Sequence, residues 1–160
     1  QKTAYEISLG LVGSEMCIRD SYITVNKLAK LRQLLSSVDG KTIIFCDSID
    51  LGKRLSKILG VPFVYGETKN RLEIIKRNKL VILSRVGDEG IDVTDLKNVI
   101  EIDFLYGSRR QEIQRLGRLL HSRHGDCFHA ILMTPKEYDR YSKRLLVLIE
   151  KGFDLKIIAE

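Results

Sequence analysis

The period of the apolar residues changes several times along the chain. From Val25 to Val38 apolar side chains recur every three or four residues, which predicts a helix with one buried stripe. The next run, Lys41 to Cys46, carries consecutive apolar and β-branched residues without alternation, as in a strand that is covered on both faces. Asp47 or Ser48 can cap the following predicted helix, which Gly60 ends.

The same succession of helix and strand patterns continues along the chain. Strands that alternate with helices of ten or more residues are joined by right-handed crossovers and build a mostly parallel sheet. The sequence therefore predicts an α/β fold in which helices flank a mostly parallel sheet. The further predicted helices are Ile49–Leu59, Asn70–Arg77, Arg109–His121 and Pro135–Glu150, and the further strands are Phe63–Tyr65, Leu80–Leu83, Asn98–Ile102 and Phe128–Met133.

The first 21 residues do not share this patterning. The stretch from Ser8 to Ser21 has neither helical nor strand periodicity, and it lacks the basic start and long apolar stretch of a signal peptide. It is similar to translated sequencing-adapter fragments that contaminate assembled genes. We therefore expect residues 1–21 to be a non-native or disordered segment and residues 22–160 to form the domain.

Composition and charge narrow the class of protein only moderately. A chain of 160 residues with 44% hydrophobic residues fits one domain with a core of ordinary size. The formal net charge of +6 favours anionic partners such as nucleic acid or nucleotide phosphates, although solvated basic helix faces give the same balance. The charge therefore leaves the partner open, and the motifs must decide.

Cysteines and apolar runs indicate the compartment. Cys17, Cys46 and Cys127 are far apart and odd in number, which fits neither a disulfide framework nor a Cys-x-x-Cys metal site. The apolar runs are much shorter than the roughly 20 residues that cross a bilayer. We expect an intracellular, reducing location and no membrane partner.

Candidate chemistry lies in the loops that follow the predicted strands. In an open parallel sheet, ligands bind beyond the carboxyl ends of the strands. We therefore expect the loops after Cys46, Tyr65, Ser84 and Ile102 to share one binding region. The stretch 84–93 supplies a hydroxyl, two glycines and three carboxylates. An ordinary acidic turn has the same composition, so this loop alone does not establish a binding site.

The predicted helix that ends near His121 separates two faces. Gln114, Arg118 and His121 share one face, whereas Ile113 and the residues at helical spacing from it share a buried one. Four arginines occur in residues 109–118, and guanidinium groups on a rigid helix suit the recognition of phosphate oxygens. A solvated basic face remains the alternative.

The histidines do not indicate a metal site. His121, His124 and His129 have no cysteine or carboxylate at a matching spacing, and His129 lies within a predicted strand. We therefore expect no protein-held metal in this chain.

These motifs occur in the order that is found in helicases of superfamily 2. Residues 43–48 resemble motif IV, residues 65–68 the segment after it, residues 84–93 motif V and residues 114–118 motif VI. The run Gly-Ser-Arg-Arg-Gln-Glu at 107–112, directly before motif VI, is similar to the XPB/Rad25 branch. The resemblance extends from about Tyr22 to Ile158, which is nearly the whole expected domain.

This resemblance implies a RecA-like (P-loop NTPase-like) second helicase domain, which closes on a first RecA-like domain with ATP between the two and DNA across both. Arg118 would be the arginine finger, with Gln114 and Arg115 positioning it. Gly90 and Asp92 would contact ATP together with Arg118 and Gln114, while Mg²⁺ would be held mainly by the first domain. The implied nucleic-acid-binding residues are Ser48, Thr68, Ser84, Arg85 and Gly87.

The function implied by the resemblance is that of the C-terminal motor domain of an ATP-dependent DNA helicase or translocase, moving 3′ to 5′, in DNA repair or transcription initiation. The implied partners are DNA, the first RecA-like domain, and a TFIIH-like complex or a nuclease. The location would be the nucleus in a eukaryote, or the cytoplasm and nucleoid in a prokaryote.

Two departures from the helicase pattern keep other functions open. His121 stands where motif VI usually carries a second arginine, and the chain contains no G-x-x-x-x-G-K-[ST] loop, so alone it should not hydrolyse ATP. The alternatives are a non-catalytic RecA-like module that binds nucleic acid or protein, and a superfamily 2 motor that acts on RNA.

Overall fold

The computed structural model of the chain describes residues 6–11, 25–84, 95–103, 128–133 and 154–159. No helix within these ranges is long and apolar enough to cross a membrane. The two helices predicted at 109–121 and 135–150 lie outside the described residues. The described helices are α1 (Val25–Ser37), α2 (Ile49–Leu59) and α3 (Arg71–Arg77), and the strands are β1 (Glu6–Leu11), β2 (Lys41–Phe45), β3 (Phe63–Val64), β4 (Leu80–Leu83), β5 (Leu96–Glu101), β6 (Phe128–Met133) and β7 (Asp154–Ala159).

The strands form one sheet in the order β3-β4-β2-β5-β6-β1-β7. Each neighbouring pair is parallel. In the registered pairs, Ile44 of β2 lies beside Ile82 of β4 and Ile100 of β5. The α/β fold with a mostly parallel sheet is therefore confirmed.

The core lies against strand β2, which is buried along its whole length. Helix α1 contributes Leu31 to this core, and helix α2 contributes Leu51 and Leu55. A strand buried on both faces has no polar side to present, which explains why its sequence shows no alternation. The buried cluster comprises Leu31, Ile44, Cys46, Leu51, Leu55, Ile82, Ile100, Ile102 and Leu132.

Helix α2 has the bounds that its capping residues predict. The Ser48 hydroxyl accepts a hydrogen bond from the amide of Leu51 at 3.3 Å, which satisfies one of the free N–H groups of the first turn. At the other end Gly60 adopts the left-handed conformation at φ 65°, and its N–H donates to the carbonyl of Ser56. With these caps, α2 begins at Ile49, shortly after β2 ends at Phe45.

Strand β1 differs from the expectation for the first 21 residues. The structure places Glu6–Leu11 in the sheet, parallel to β6 on one side and to β7 on the other. The strand alternates apolar residues, at Ile7, Leu9 and Leu11, with polar or small ones. The interpretation of the first 21 residues therefore overlooked a short alternating run.

The edge at which β2 and β5 begin, here called the amino edge, carries polar groups that bond to one another. The buried Asn98 amide donates to the carbonyl of Asp39 at 2.7 Å and to the hydroxyl of Thr42 at 3.1 Å. That hydroxyl in turn donates to the carbonyl of Gly40 at 3.1 Å. These bonds join the start of β2 to β5.

The ammonium group of Lys41 satisfies the end of α3 at the same edge. Its Nζ donates to the carbonyls of Ile75 and Lys76, the latter at 3.1 Å. The last carbonyls of a helix lack partners within the helix and carry partial negative charge, so a buried ammonium group suits them. Lys41 therefore links the first residue of β2 to helix α3.

Candidate nucleic-acid interface

The carboxyl ends of the parallel strands β2, β3, β4 and β5 lie at the opposite edge of the sheet, here called the carboxyl edge. The ladder continues one residue past each strand, with Cys46 N–H bonded to the carbonyl of Leu83 at 3.0 Å and Ser84 N–H to that of Val64 at 2.9 Å. Ile102 N–H likewise donates to the carbonyl of Phe45 at 3.1 Å. The structure thus places Cys46, Ser84 and Ile102, after which binding chemistry was predicted, at one edge of the sheet.

Asp103 organises the loop between β2 and α2. Its carboxylate is fully buried and accepts two backbone N–H groups, from Asp47 at Oδ1 and from Ser48 at Oδ2, each at 2.9 Å. The thiol of Cys46 lies 3.6 Å from the same Oδ2. Because one side chain accepts both backbone N–H groups, Asp103 fixes the position of the loop.

The amides just before α2 are used within the chain. The resemblance implies that Ser48 contacts nucleic acid, and the amides of Asp47 and Ser48 are bonded to Asp103. Sequence reasoning missed Asp103. A usable signal was present, since a carboxylate directly after a buried apolar strand is costly unless hydrogen bonds compensate its burial.

Ser48 retains one group for a ligand. Its hydroxyl oxygen accepts from Leu51 N–H and its own amide donates to Asp103, so the remaining group is the hydroxyl proton. A hydroxyl proton can be donated to a phosphate oxygen while the oxygen continues to cap α2.

Thr68 closes a turn with Tyr65. The Thr68 amide donates to the carbonyl of Tyr65 at 3.0 Å, and the Tyr65 amide donates to the hydroxyl of Thr68, also at 3.0 Å. Arg71 Nε donates to the Thr68 carbonyl at 3.2 Å, which joins the turn to α3. As in Ser48, the hydroxyl oxygen is used within the chain and the hydroxyl proton is the donor that remains.

Ser84 is different, because its side chain is only 3% exposed and its Oγ has no hydrogen-bond partner among the described residues. A buried hydroxyl without a partner costs roughly 1–3 kcal/mol. Such a group favours any ligand that can complete its hydrogen bonding. Ser84 is therefore the described hydroxyl at this edge with the most to gain from a bound phosphate oxygen.

The remaining predicted site residues lie outside the described ranges. They are Arg85, Gly87, Gly90, Asp92, Gln114, Arg115 and Arg118, together with His121 in the position of the second arginine. Within the ranges that the structure describes, no group of three or more His, Cys, Asp or Glu side chains could hold a metal ion.

Solved structures with this architecture define the class of domain. The C-terminal domain of the DEAD-box protein Dbp5 aligns with a TM-score of 0.71 at 16% identity, covering 98% of this chain and 90% of that chain. An alignment at this identity shows the fold alone. The fold is that of the RecA-like second domain of a helicase.

The family follows from sequence comparison. Residues 22–160 match the model of the ERCC3/RAD25/XPB C-terminal helicase, and the chain belongs to that family. It is 38% identical over 133 residues to the general transcription and DNA repair factor IIH helicase/translocase subunit XPB of Schizosaccharomyces pombe, covering 74% of this chain. The subunit of the same name from Dictyostelium discoideum is 33% identical over 135 residues, covering 75% of this chain. The alignments span 16% and 17% of those two relatives.

Proposed function

We propose that this chain is the C-terminal motor domain of an ATP-dependent DNA helicase or translocase that acts in DNA repair or transcription initiation. The observation that carries the proposal is the family match over residues 22–160. The matched relatives are named as helicase/translocase subunits of a general transcription and DNA repair factor. Because the chain spans less than a fifth of these two relatives, the ATP-hydrolysing motor would be completed by a first RecA-like domain elsewhere in the protein.

The carboxyl edge would hold the backbone of one nucleic-acid strand. The hydroxyl groups of Ser48, Thr68 and Ser84 each have a proton to donate to a phosphate oxygen, and Arg85 and Gly87 would extend this contact. Phosphate contacts of this kind position the strand without reading its sequence. This property suits a motor that must step along any sequence.

The ATP side of the proposed motor consists of residues named by the resemblance. Arg118 would stabilise charge on the transferring phosphoryl group, Gln114 and Arg115 would position it, and Gly90 and Asp92 would bind the nucleotide. Arginine fingers contribute about 10³ to 10⁵ in rate in related phosphoryl-transfer systems. Mg²⁺ would be held mainly by the first RecA-like domain.

Asp103 offers a link between the two sides. Its carboxylate holds the loop that carries Ser48, and the chain after it leads to Gln114 and Arg118. In this proposal, a shift of the finger segment would act on the Ser48 loop through the end of β5 and so couple ATP turnover to the grip on DNA.

The remaining parts of the proposal concern the direction of movement, the partners, the location and the bounds of the domain. Movement would be 3′ to 5′, with a TFIIH-like complex or a nuclease as partner. The location would be the nucleus in a eukaryote, or the cytoplasm and nucleoid in a prokaryote. The helicase domain would comprise residues 22–160, the range of the family match, and residues 1–21 would be a non-native or disordered segment, an expectation that the strand Glu6–Leu11 does not favour.

The test is ATP turnover by the full-length protein with its native N-terminus, measured with and without DNA. We expect Arg118→Ala to lower DNA-stimulated kcat by about 10³ while nucleotide binding persists. Arg32→Ala, at an exposed position of α1, is the matched control and should leave kcat unchanged. His121→Arg shows whether the motor lacks a second finger, because the substitution would then raise turnover.

Three outcomes would overturn the proposal or part of it. Turnover that is insensitive to Arg118→Ala would remove the motor function and favour a non-catalytic binding module. The absence of an ATPase half in the full-length protein would do the same. Stimulation by RNA but not by DNA would instead identify an RNA motor.

A further inference from the structure

Helix α2 holds a lysine over an aromatic ring at the carboxyl edge. The ammonium nitrogen of Lys53 lies 5.4 Å from the centroid of the Tyr65 ring. Tyr65 directly follows β3, and β3 pairs with β4 just before Ser84. The positive charge of Lys53 therefore lies against Tyr65, the residue whose amide and carbonyl are bonded to Thr68.

The Tyr65 ring is held by its neighbours. Phe63 stacks on it with ring centroids 5.1 Å apart and an interplanar angle of 25°. Phe63 in turn packs directly on the backbone of α2, since a Cβ atom at Gly52 would clash with the Phe63 ring. The two hydrogen bonds between Tyr65 and Thr68 fix the backbone that carries the Tyr65 ring.

The charge of Lys53 makes no ion pair within the part of the chain that the structure describes. The ion pairs found there join Arg77 to Glu73 and Lys79 to Asp39. An exposed lysine normally samples many rotamers, whereas a cation held over a ring face keeps a preferred position. Lys53 is thus a positioned positive charge that is available to an anion.

The hydroxyl donors Ser48, Thr68 and Ser84 are neutral, and a positive charge near them would strengthen the binding of a phosphate. Lysine acts as a point charge toward phosphate, and neutralising a phosphate releases condensed counterions. We propose that Lys53, positioned by the Tyr65 ring, contacts a backbone phosphate of the bound nucleic-acid strand. This inference rests on the proposed nucleic-acid-binding function and adds a residue that no motif assigns to it.

The experiment measures binding of a fluorescent DNA duplex of arbitrary sequence to the full-length protein without nucleotide, by anisotropy between roughly 50 and 200 mM salt. The slope of log K against log salt changes by about 0.9 for each phosphate of B-form DNA that the protein no longer neutralises. We expect Lys53→Gln to make the slope shallower by about that amount and to weaken binding roughly tenfold near 0.1 M salt.

Lys57→Gln is the matched control, because it removes the same charge one turn further along α2, away from Tyr65. Its slope should equal that of the wild type, and Lys53→Arg should keep most of the binding. Tyr65→Leu should weaken DNA binding, because Lys53 then loses the ring that positions it. Tyr65→Phe keeps the ring and should bind DNA as the wild type does.

The outcomes separate this inference from the function on which it rests. Equal slopes for wild type, Lys53→Gln and Lys57→Gln, with DNA bound by all of them, would overturn the Lys53 contact alone. Equal reductions in both glutamine variants would also overturn it, because the effect would then be general charge. Wild-type protein that binds no nucleic acid would remove the proposed function and this inference together.

Discussion

The two edges of the sheet use polar residues in opposite ways. At the amino edge, Asn98, Thr42 and Lys41 are buried and bond to partners within the chain. At the carboxyl edge, Ser84 is equally buried but its hydroxyl has no partner among the described residues, and Lys53 carries a charge without an ion pair there. A polar group that is satisfied internally stabilises the fold, whereas one that is left unsatisfied in a fixed position is suited to a ligand.

Asp103 combines both roles, because it is satisfied internally and yet lies at the carboxyl edge. It holds the loop rather than meeting the ligand, since both of its oxygens accept backbone N–H groups. The comparison therefore distinguishes Asp103, a buried group that holds the loop in place, from Ser84, a buried group that would bind a ligand.

Loss of Asp103 should produce the largest effect on stability. Asp103→Ala removes the acceptor of two partly buried N–H groups, at Asp47 and Ser48, and a buried donor left unsatisfied costs about 1–3 kcal/mol. Because water can reach partly buried donors, we expect the free energy of unfolding in urea to fall by roughly 2–4 kcal/mol. Asp95→Ala, at an exposed position, serves as the control. A decrease as small as that of the control would show that Asp103 does not organise the loop.

Matched truncations at the two edges should have opposite consequences. Asn98→Ala breaks two hydrogen bonds and should lower the free energy of unfolding by about 1–3 kcal/mol without weakening DNA binding. Ser84→Ala removes a hydroxyl without a described partner, so stability should stay the same or rise by up to about 1 kcal/mol, while DNA binding weakens. Urea unfolding and DNA anisotropy measure the two quantities. If Ser84→Ala lowers the free energy of unfolding as much as Asn98→Ala does, the proposed difference between the two edges is wrong.

The smallest effect concerns the exposed ion pair of the amino edge. The hydrogen bond from Lys79, together with that from the Gly40 amide, lowers the pKa of Asp39 below its ordinary value of 3.8. Because the folded-state pKa is depressed, the contribution to stability is present above that ordinary value and is lost as pH falls through the folded pKa. Exposed pairs contribute little, so Asp39→Asn should be slightly less stable at about pH 7.

Urea unfolding of wild type and Asp39→Asn at about pH 7 and about pH 2 checks this sign. The small difference near neutral pH should disappear in acid, where the carboxylate is protonated in both states. A difference that grew on acidification would contradict the pKa direction. Lys79→Met should reproduce the effect seen near neutral pH if the lysine is its main cause.

Much of the central fold could be predicted because its signals are local. Helix α2 has its predicted bounds, since Ser48 and Gly60 act on the turns next to them. The buried strand β2 was predicted from its lack of alternation. Strand β5 starts at Leu96 rather than at the predicted Asn98, a shift that local patterning commonly leaves at the ends of elements.

The family likewise followed from the sequence alone, because the helicase motifs are short runs whose order along the chain carries the resemblance. The match over residues 22–160 confirms it. The roles of Arg118, Gln114 and the other motif residues stay predictions. These residues lie outside the ranges that the structure describes.

The sequence by itself determined the class of fold and the family, because periodicity, caps and motifs act between residues that are near in the chain. The tertiary structure alone decided that Asp103 takes the amide of Ser48, across 55 residues, and that Lys53 meets Tyr65. Such contacts depend on which strands become neighbours in the sheet and on how α2 packs over them. Side-chain periodicity along the chain does not encode that arrangement.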